Sequence, residues 1–163
     1  MKFPRIANTA LALLLAAASF SPAFAEDGKL KLTSRSEKEV VEVKEGKKSV
    51  TLAPAEKVVP GDVVVFTNHY KNAGSAPAED VVISNPVPKH MTYLDGSAFG
   101  EGATITFSFD KGKSFETPGK LVKTEKGKKR TARAEEYTHI RWSFKNPIPA
   151  GKEGELGFRA RLK

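Results

Sequence analysis

The chain has 163 residues, 27 basic against 19 acidic side chains, a net charge of +8 and no cysteine. These properties exclude disulfide staples, a thiol nucleophile, thiolate metal ligands and a lipid anchor carried on cysteine. The length fits one domain able to bury a core without covalent help, and the positive balance favours anionic surfaces without identifying a partner.

Residues 1–25 are predicted to be a cleavable secretory signal. Lys2 and Arg5 make a positive start, Ala10 to Ala18 an apolar core, and Ala23-Phe24-Ala25 places small residues ahead of a cut before Glu26. The apolar run is shorter than the roughly 20 residues a bilayer crossing needs, and no second apolar run follows it. The expected product is an exported, soluble chain of 138 residues, periplasmic or secreted to the cell surface. Without Lys2 and Arg5 it keeps 25 basic and 19 acidic side chains, a net +6.

Residues 26–52 are highly charged and are assigned to the same domain as residues 53–163. Leu30 and Leu32, then Val41 and Val43, alternate with polar residues, which predicts two short half-buried strands. Glu45-Gly46-Lys47-Lys48 reads as a hairpin turn leading to Val50, Leu52 and Ala53. The part from Lys29 to Val43 could donate a strand to another chain or cap its own sheet. Its charges favour capping, because charged edge residues block pairing with other chains.

Pro60-Gly61-Asp62 is a turn, with proline fixing one dihedral and glycine free to take a positive φ. In the strand that follows, Val64, Phe66 and Tyr70 share a face with Asn68 between them. Asn72-Ala73-Gly74 closes it. Val81 to Ser84 is the next strand, and Pro86-Val87-Pro88 leads to another near Thr92. Further on, Ala103, Ile105, Phe107 and Phe109 share a face, and Asp110-Lys111-Gly112-Lys113 turns the chain into a return beginning at Ser114-Phe115-Glu116. Ile140, Trp142 and Phe144 define one late strand, and Leu156, Phe158, Ala160 and Leu162 the last.

No stretch shows a helical stripe, so the fold class is all-β: an antiparallel sandwich of about seven to nine strands. Its expected core aromatics are Phe66, Phe107, Phe109, Trp142, Phe144 and Phe158, with Trp142 at the centre.

The run Pro60-Gly61-Asp62, Val64/Phe66/Tyr70, Asn72-Ala73-Gly74, Ala76-Pro77-Ala78, Val81-Val82-Ile83, Pro86-Val87-Pro88 and Thr92-Tyr93-Leu94-Asp95-Gly96-Ser97 resembles the bacterial conserved repeat domain family known as DUF11. The Pro149-Ala150-Gly151 turn before the final strand fits as well, and the resemblance extends over about Ala53 to Lys163. Asn68 departs from the family, which usually has an apolar residue there. The resemblance implies an immunoglobulin-like sandwich acting in the cell envelope as a spacer, adhesive unit or assembly partner.

The most basic segment holds Lys120, Lys123, Lys126, Lys128, Lys129, Arg130 and Arg133, with Glu125 the only acid among them and Glu135-Glu136 just beyond. It is either an anion-binding loop or a solvated hairpin between Phe115 and Tyr137. It lacks the interleaved aromatics on which nucleic-acid bases stack, which disfavours nucleic acid. His69, His90 and His139 have no standard metal-ligand spacing, and no serine sits in a nucleophile-elbow motif. The expected function is therefore a non-catalytic envelope interaction module, with no cofactor, whose partner is another envelope protein or a second copy of itself. The alternative is a periplasmic binding protein that takes an anionic ligand or polymer through residues 120–133.

Overall fold

The structure, a computed structural model, describes residues 30–163; the expected signal at 1–25 lies outside them. Eleven strands occur in order: β1 (Leu30–Lys44), β2 (Lys47–Pro54), β3 (Val63–Asn72), β4 (Val82–Pro86), β5 (Met91–Tyr93), β6 (Phe99–Gly100), β7 (Ala103–Ser108), β8 (Val122–Glu125), β9 (Lys128–Thr131), β10 (His139–Phe144) and β11 (Glu153–Leu162). Helix is limited, among the described residues, to two single 3-10 turns at Pro118–Lys120 and Ala134–Glu136. The count exceeds seven to nine because β5 and β6 are only three and two residues long and because the basic segment folds as its own hairpin.

One sheet runs β2-β1-β3-β11-β5, with β6 also on β11; the second runs β4-β10-β7; β8 and β9 pair with each other. Every pairing is antiparallel. The two larger sheets pack face to face as an all-β sandwich. Period-two alternation puts Leu156, Phe158 and Ala160 of β11 on the inner face, opposite Ile140 and Trp142 of β10. Three aromatic pairs cross the gap: Trp142–Phe158 at 6.5 Å, Tyr93–Phe107 at 5.3 Å and Tyr70–Phe144 at 5.2 Å. Phe66 and Phe158 face each other across β3 and β11 and stack at 5.1 Å.

Trp142 is at the centre, fully buried, and its indole N–H donates to the Phe99 carbonyl at 2.8 Å. Gly100 lies so close that a Cβ there would sit 2.7 Å from Trp142 Cδ1, so only glycine fits beside the indole. Phe107 and Phe158 are buried as expected, whereas Phe66, Phe109 and Phe144 are half-buried on the margin of the core. Phe109 lies past the end of β7 and Phe144 is the last residue of β10, so neither is covered on all sides. Tyr70, Tyr93 and Tyr137 take the remaining buried aromatic positions.

Two sequence expectations change. The strand signals at Leu30/Leu32 and Val41/Val43 belong to one fifteen-residue strand, β1. Its polar middle is compatible with the sheet because Ser34 faces Asn68 and donates to Asn68 Oδ1 at 2.6 Å, which satisfies a buried polar side chain. Val41 and Val43 are exposed instead of half-buried, because β3 covers β1 only as far as Lys38. The return after Asp110 is a single bridge between Phe107 and Glu116 instead of a strand. There the Asp110 carboxylate accepts from the Lys113 and Ser114 N–H groups and the Ser114 hydroxyl, which turns the chain away from the ladder.

Asn72 holds the loop end of the sandwich together. Fully buried, its side chain donates to the Ala76 carbonyl at 2.9 Å and the Ile148 carbonyl at 2.8 Å, and accepts from the Gly74 N–H at 3.0 Å.

Trp142→Ala is expected to lower unfolding free energy by roughly 3–5 kcal/mol, the range for deleting a large buried aromatic. Denaturant titration measures it, and an unchanged midpoint refutes the placement of Trp142 at the core. Asn72→Ala is expected to lower it by about 1–3 kcal/mol, because the Ala76 carbonyl and the Gly74 N–H lose their partner and the Ile148 carbonyl keeps only the Ala78 N–H. An effect below about 0.5 kcal/mol, the level of an ordinary surface substitution, refutes that role.

Candidate interaction surface

Strands β1 and β2 extend beyond the sandwich as a two-stranded arm. Lys38 is the last residue of β1 paired with β3, and from Glu39 to Lys44 the only neighbouring strand among the described residues is β2. The arm closes in a two-residue turn, with Glu45 at φ 51° and Gly46 at φ 77°. Two consecutive positive φ angles make a type I′ turn, whose twist matches that of the strands it joins, and glycine takes the second position without strain.

Directly opposed residues of an antiparallel pair share a face. The register therefore groups Val41 with Val50, Leu52 with Glu39, and Val43 with Lys48. Val41, Val43, Val50 and Leu52 are 56%, 60%, 57% and 50% exposed and form one apolar face covered by no other element among the described residues. Sequence alternation places Val41 and Val43 on one face of a strand and puts Val50 and Leu52 after the turn. It could not show that nothing packs against that face.

The arm's base is fixed by charge. Arg35 of β1 pairs with Glu155 of β11 at 2.8 Å, and Arg159 of β11 pairs with Glu39 of β1 at 2.6 Å, both across the width of β3. Arg159 also binds the second Glu39 oxygen at 2.8 Å, the two-pronged geometry that suits guanidinium and carboxylate.

The basic segment forms the β8–β9 hairpin, turning at Lys126 and Gly127. Lys123 and Arg130 stand directly opposite each other, a repulsive arrangement unless an acid intervenes. Glu136 supplies it: Arg130 binds both its oxygens at 2.7 Å, Lys123 binds one at 2.7 Å, and the Arg133 backbone N–H donates at 2.9 Å. Glu125 takes the remaining Arg130 nitrogen at 2.6 Å. Of the seven cations, Lys123, Arg130 and Arg133 thus gather on Glu136, and the Arg133 side chain lies 3.9 Å from it. Lys120, Lys126, Lys128 and Lys129 have no ion-pair partner among the described residues and point to solvent. The sequence places Glu135-Glu136 beside the run, and only the fold brings Glu136 back into it.

The histidines are dispersed. His69 is on β3, 3.8 Å from Glu153; His90 is exposed in the turn before β5; His139 is on β10 in the other sheet, beside Thr138. Burial holds the His139 imidazole below its ordinary pKa, against the opposing pull of Asp110. Two shallow hollows flank Asp95 and Glu135, and no Ser, Cys or His lines either. No helix among the described residues is long and apolar enough to cross a membrane.

No family model, curated protein or solved structure matches the chain.

Two carboxylates give the fold a pH dependence. Hydrogen bonds from Arg130, then Lys123 and the Arg133 N–H, hold Glu136 well below the usual carboxylate range. The Ser114 hydroxyl and N–H, then the Ser108 hydroxyl, do the same for Asp110. A carboxylate depressed in the folded state contributes stability that is complete above its unfolded pKa, roughly 4. That stability is lost as pH falls toward the folded value. The melting temperature should therefore hold near neutrality and decline below about pH 5. Glu136→Gln should melt lower than the unsubstituted chain at pH 7 and show a shallower acid decline. Parallel curves for the two proteins refute the role of Glu136.

Proposed function

We propose that this protein is a non-catalytic, exported interaction module of the cell envelope that binds a protein partner through the arm formed by β1 and β2. The observation that carries the reading is the apolar face of Val41, Val43, Val50 and Leu52, which projects past the sandwich. Clustered apolar exposure on an otherwise charged chain marks a surface that meets another macromolecule. The resemblance of residues 53–163 to the DUF11 family agrees with an immunoglobulin-like envelope module, and the signal-like residues 1–25 agree with export. Capping β3 with the paired half of β1 leaves the arm free for this use.

The test is in-cell cross-linking of the exported protein followed by mass analysis of the adducts, beside a variant carrying Val41→Thr, Val43→Thr and Val50→Thr. Threonine keeps the β-branch that suits a strand and removes apolar surface. The expected result is a discrete adduct that the variant loses with its melting temperature unchanged. An adduct of equal yield from the variant overturns the reading.

A further inference from the structure

The outer edge of β2 has its own specificity. Strand β2 is the last of its sheet, and none of its backbone groups is bonded on the side away from β1 among the described residues. Across a two-residue turn the closing residues, Lys44 and Lys47, are a hydrogen-bonded pair. Alternation then directs the N–H and C=O groups of Lys47, Ser49, Thr51 and Ala53 toward β1. Those of Lys48, Val50 and Leu52 point outward, unpaired. Exposed edges are usually protected by lysines, a central proline, a bulge or an inward charge. In β2 the lysines are confined to Lys47 and Lys48 beside the turn, and from Ser49 to Ala53 the edge has none of these protections.

We propose that β2 pairs antiparallel with β2 of a second copy of this chain, with Val50 opposite Val50 on the twofold axis. This rests on the reading of the arm as the interaction surface and identifies its partner. Three features select that partner and register. Antiparallel self-pairing sets Lys47 against Ala53 and Lys48 against Leu52, so the cations of one copy meet the uncharged end of the other, whereas a parallel pairing sets each lysine on its own copy. Centring on Val50 matches the outward groups of one strand with those of the other over Lys47 to Ala53. A shift one way brings Pro54, which has no N–H, into the ladder; a shift the other way brings in Gly46 of the turn, which is not extended. The result is one sheet running through both copies, with Val41 and Val50 of each forming an apolar row across the join.

The chain has no cysteine, so introduced thiols report geometry directly. Opposed residues in an antiparallel pair have Cα atoms roughly 5.5 Å apart, inside the range of about 4.4–6.8 Å that a disulfide spans. Two copies of residue 52 would be about 14 Å apart, four residues of strand. The experiment is sedimentation of the purified exported chain over a range of concentrations, with oxidative linking of Val50→Cys, Leu52→Cys and Val59→Cys variants. The expected results are a reversible doubling of mass and rapid linking through Val50→Cys alone. Val50→Lys, which sets like charges face to face, should shift the sedimentation midpoint at least tenfold to higher concentration. Val59→Lys, at an exposed position outside β2, should leave it unchanged.

A chain that stays monomeric, equal linking at all three positions, or linking through Leu52→Cys in preference to Val50→Cys overturns the proposal. If the purified chain is monomeric while the arm still captures a different protein in cells, self-pairing falls and the arm reading stands. Loss of both ends both.

Discussion

The indole of Trp142 sets a condition that the surrounding structure meets. A fully buried ring contributes a large area of apolar contact, yet its N–H must find an acceptor or carry the penalty of an unmade hydrogen bond. The acceptor is the Phe99 carbonyl, on a two-residue strand that belongs to the opposite sheet through its pairing with β11. One bond therefore ties β10 of the smaller sheet to the edge of the larger one. It also explains the neighbouring glycine: Gly100 must lack a Cβ for the indole to approach Phe99 at all. Phe99 turns its ring the other way, to lie over Gly157 on the outer face, 40% exposed. A chain that satisfies Trp142 in this way has fixed the spacing of both sheets and the registers of β6, β10 and β11 together.

The same sheet has to end somewhere, and its ending accounts for the arm. Without β1, β3 would be an edge strand of ten residues beside a hydrophobic core, the exposed template that leads to aggregation. Leu30 to Lys38 covers it, held by the Ser34–Asn68 hydrogen bond on the inner face and by the Arg35–Glu155 and Arg159–Glu39 pairs on the outer. Exposed ion pairs each contribute only about 0–1 kcal/mol. Their importance is in register: both reach from β1 over β3 to β11, and a one-residue slip would send each arginine to the wrong face. Covering one edge creates another. Strand β1 continues past the sandwich and folds back as β2, so the open edge moves from the core to a projecting hairpin, where meeting a partner does not disturb the core.

How far the sequence shows this depends on which interaction decides each element. Strands β7, β10 and β11 were legible because local alternation, such as Ile140-Arg141-Trp142, coincides with burial decided by the opposite sheet. The turn at Glu45-Gly46 was legible because its chemistry is local. Strand β1 was not legible as one element, since its continuity depends on Ser34 meeting Asn68, a residue thirty-four positions away. Asn68 and Asn72 stand four residues apart in one strand and both are buried polar, but their partners come from β1 and from the Ile148 segment. Composition cannot distinguish such residues from surface polar residues. The arm is not legible in the sequence, because its valines carry the same alternation as a core strand and differ only in having no second sheet over them among the described residues.

A basic run read from sequence suggests an unsatisfied field waiting for an anion, but three of its cations are spent within the fold. Glu136 sits in a single 3-10 turn after β9, where its carboxylate reaches Lys123, Arg130 and the Arg133 N–H at once. Without it, β8 and β9 would bring Lys123 and Arg130 face to face on a four-residue ladder too short to hold them. Glu39 and Glu155 do the corresponding work for Arg159 and Arg35 at the base of the arm. In both places a carboxylate fixes where a hairpin leaves the sandwich, 120 residues from its arginine at the arm and six at the basic hairpin. On the face of the arm that carries Glu39 the paired charges end at that residue, the Lys44–Glu42 pair being on the opposite face, and beyond it Val41, Val43, Val50 and Leu52 are uncovered with Lys48 beside them. That boundary between neutralised charge and uncovered valine marks where the domain's own packing stops and where a second chain could continue the sheet.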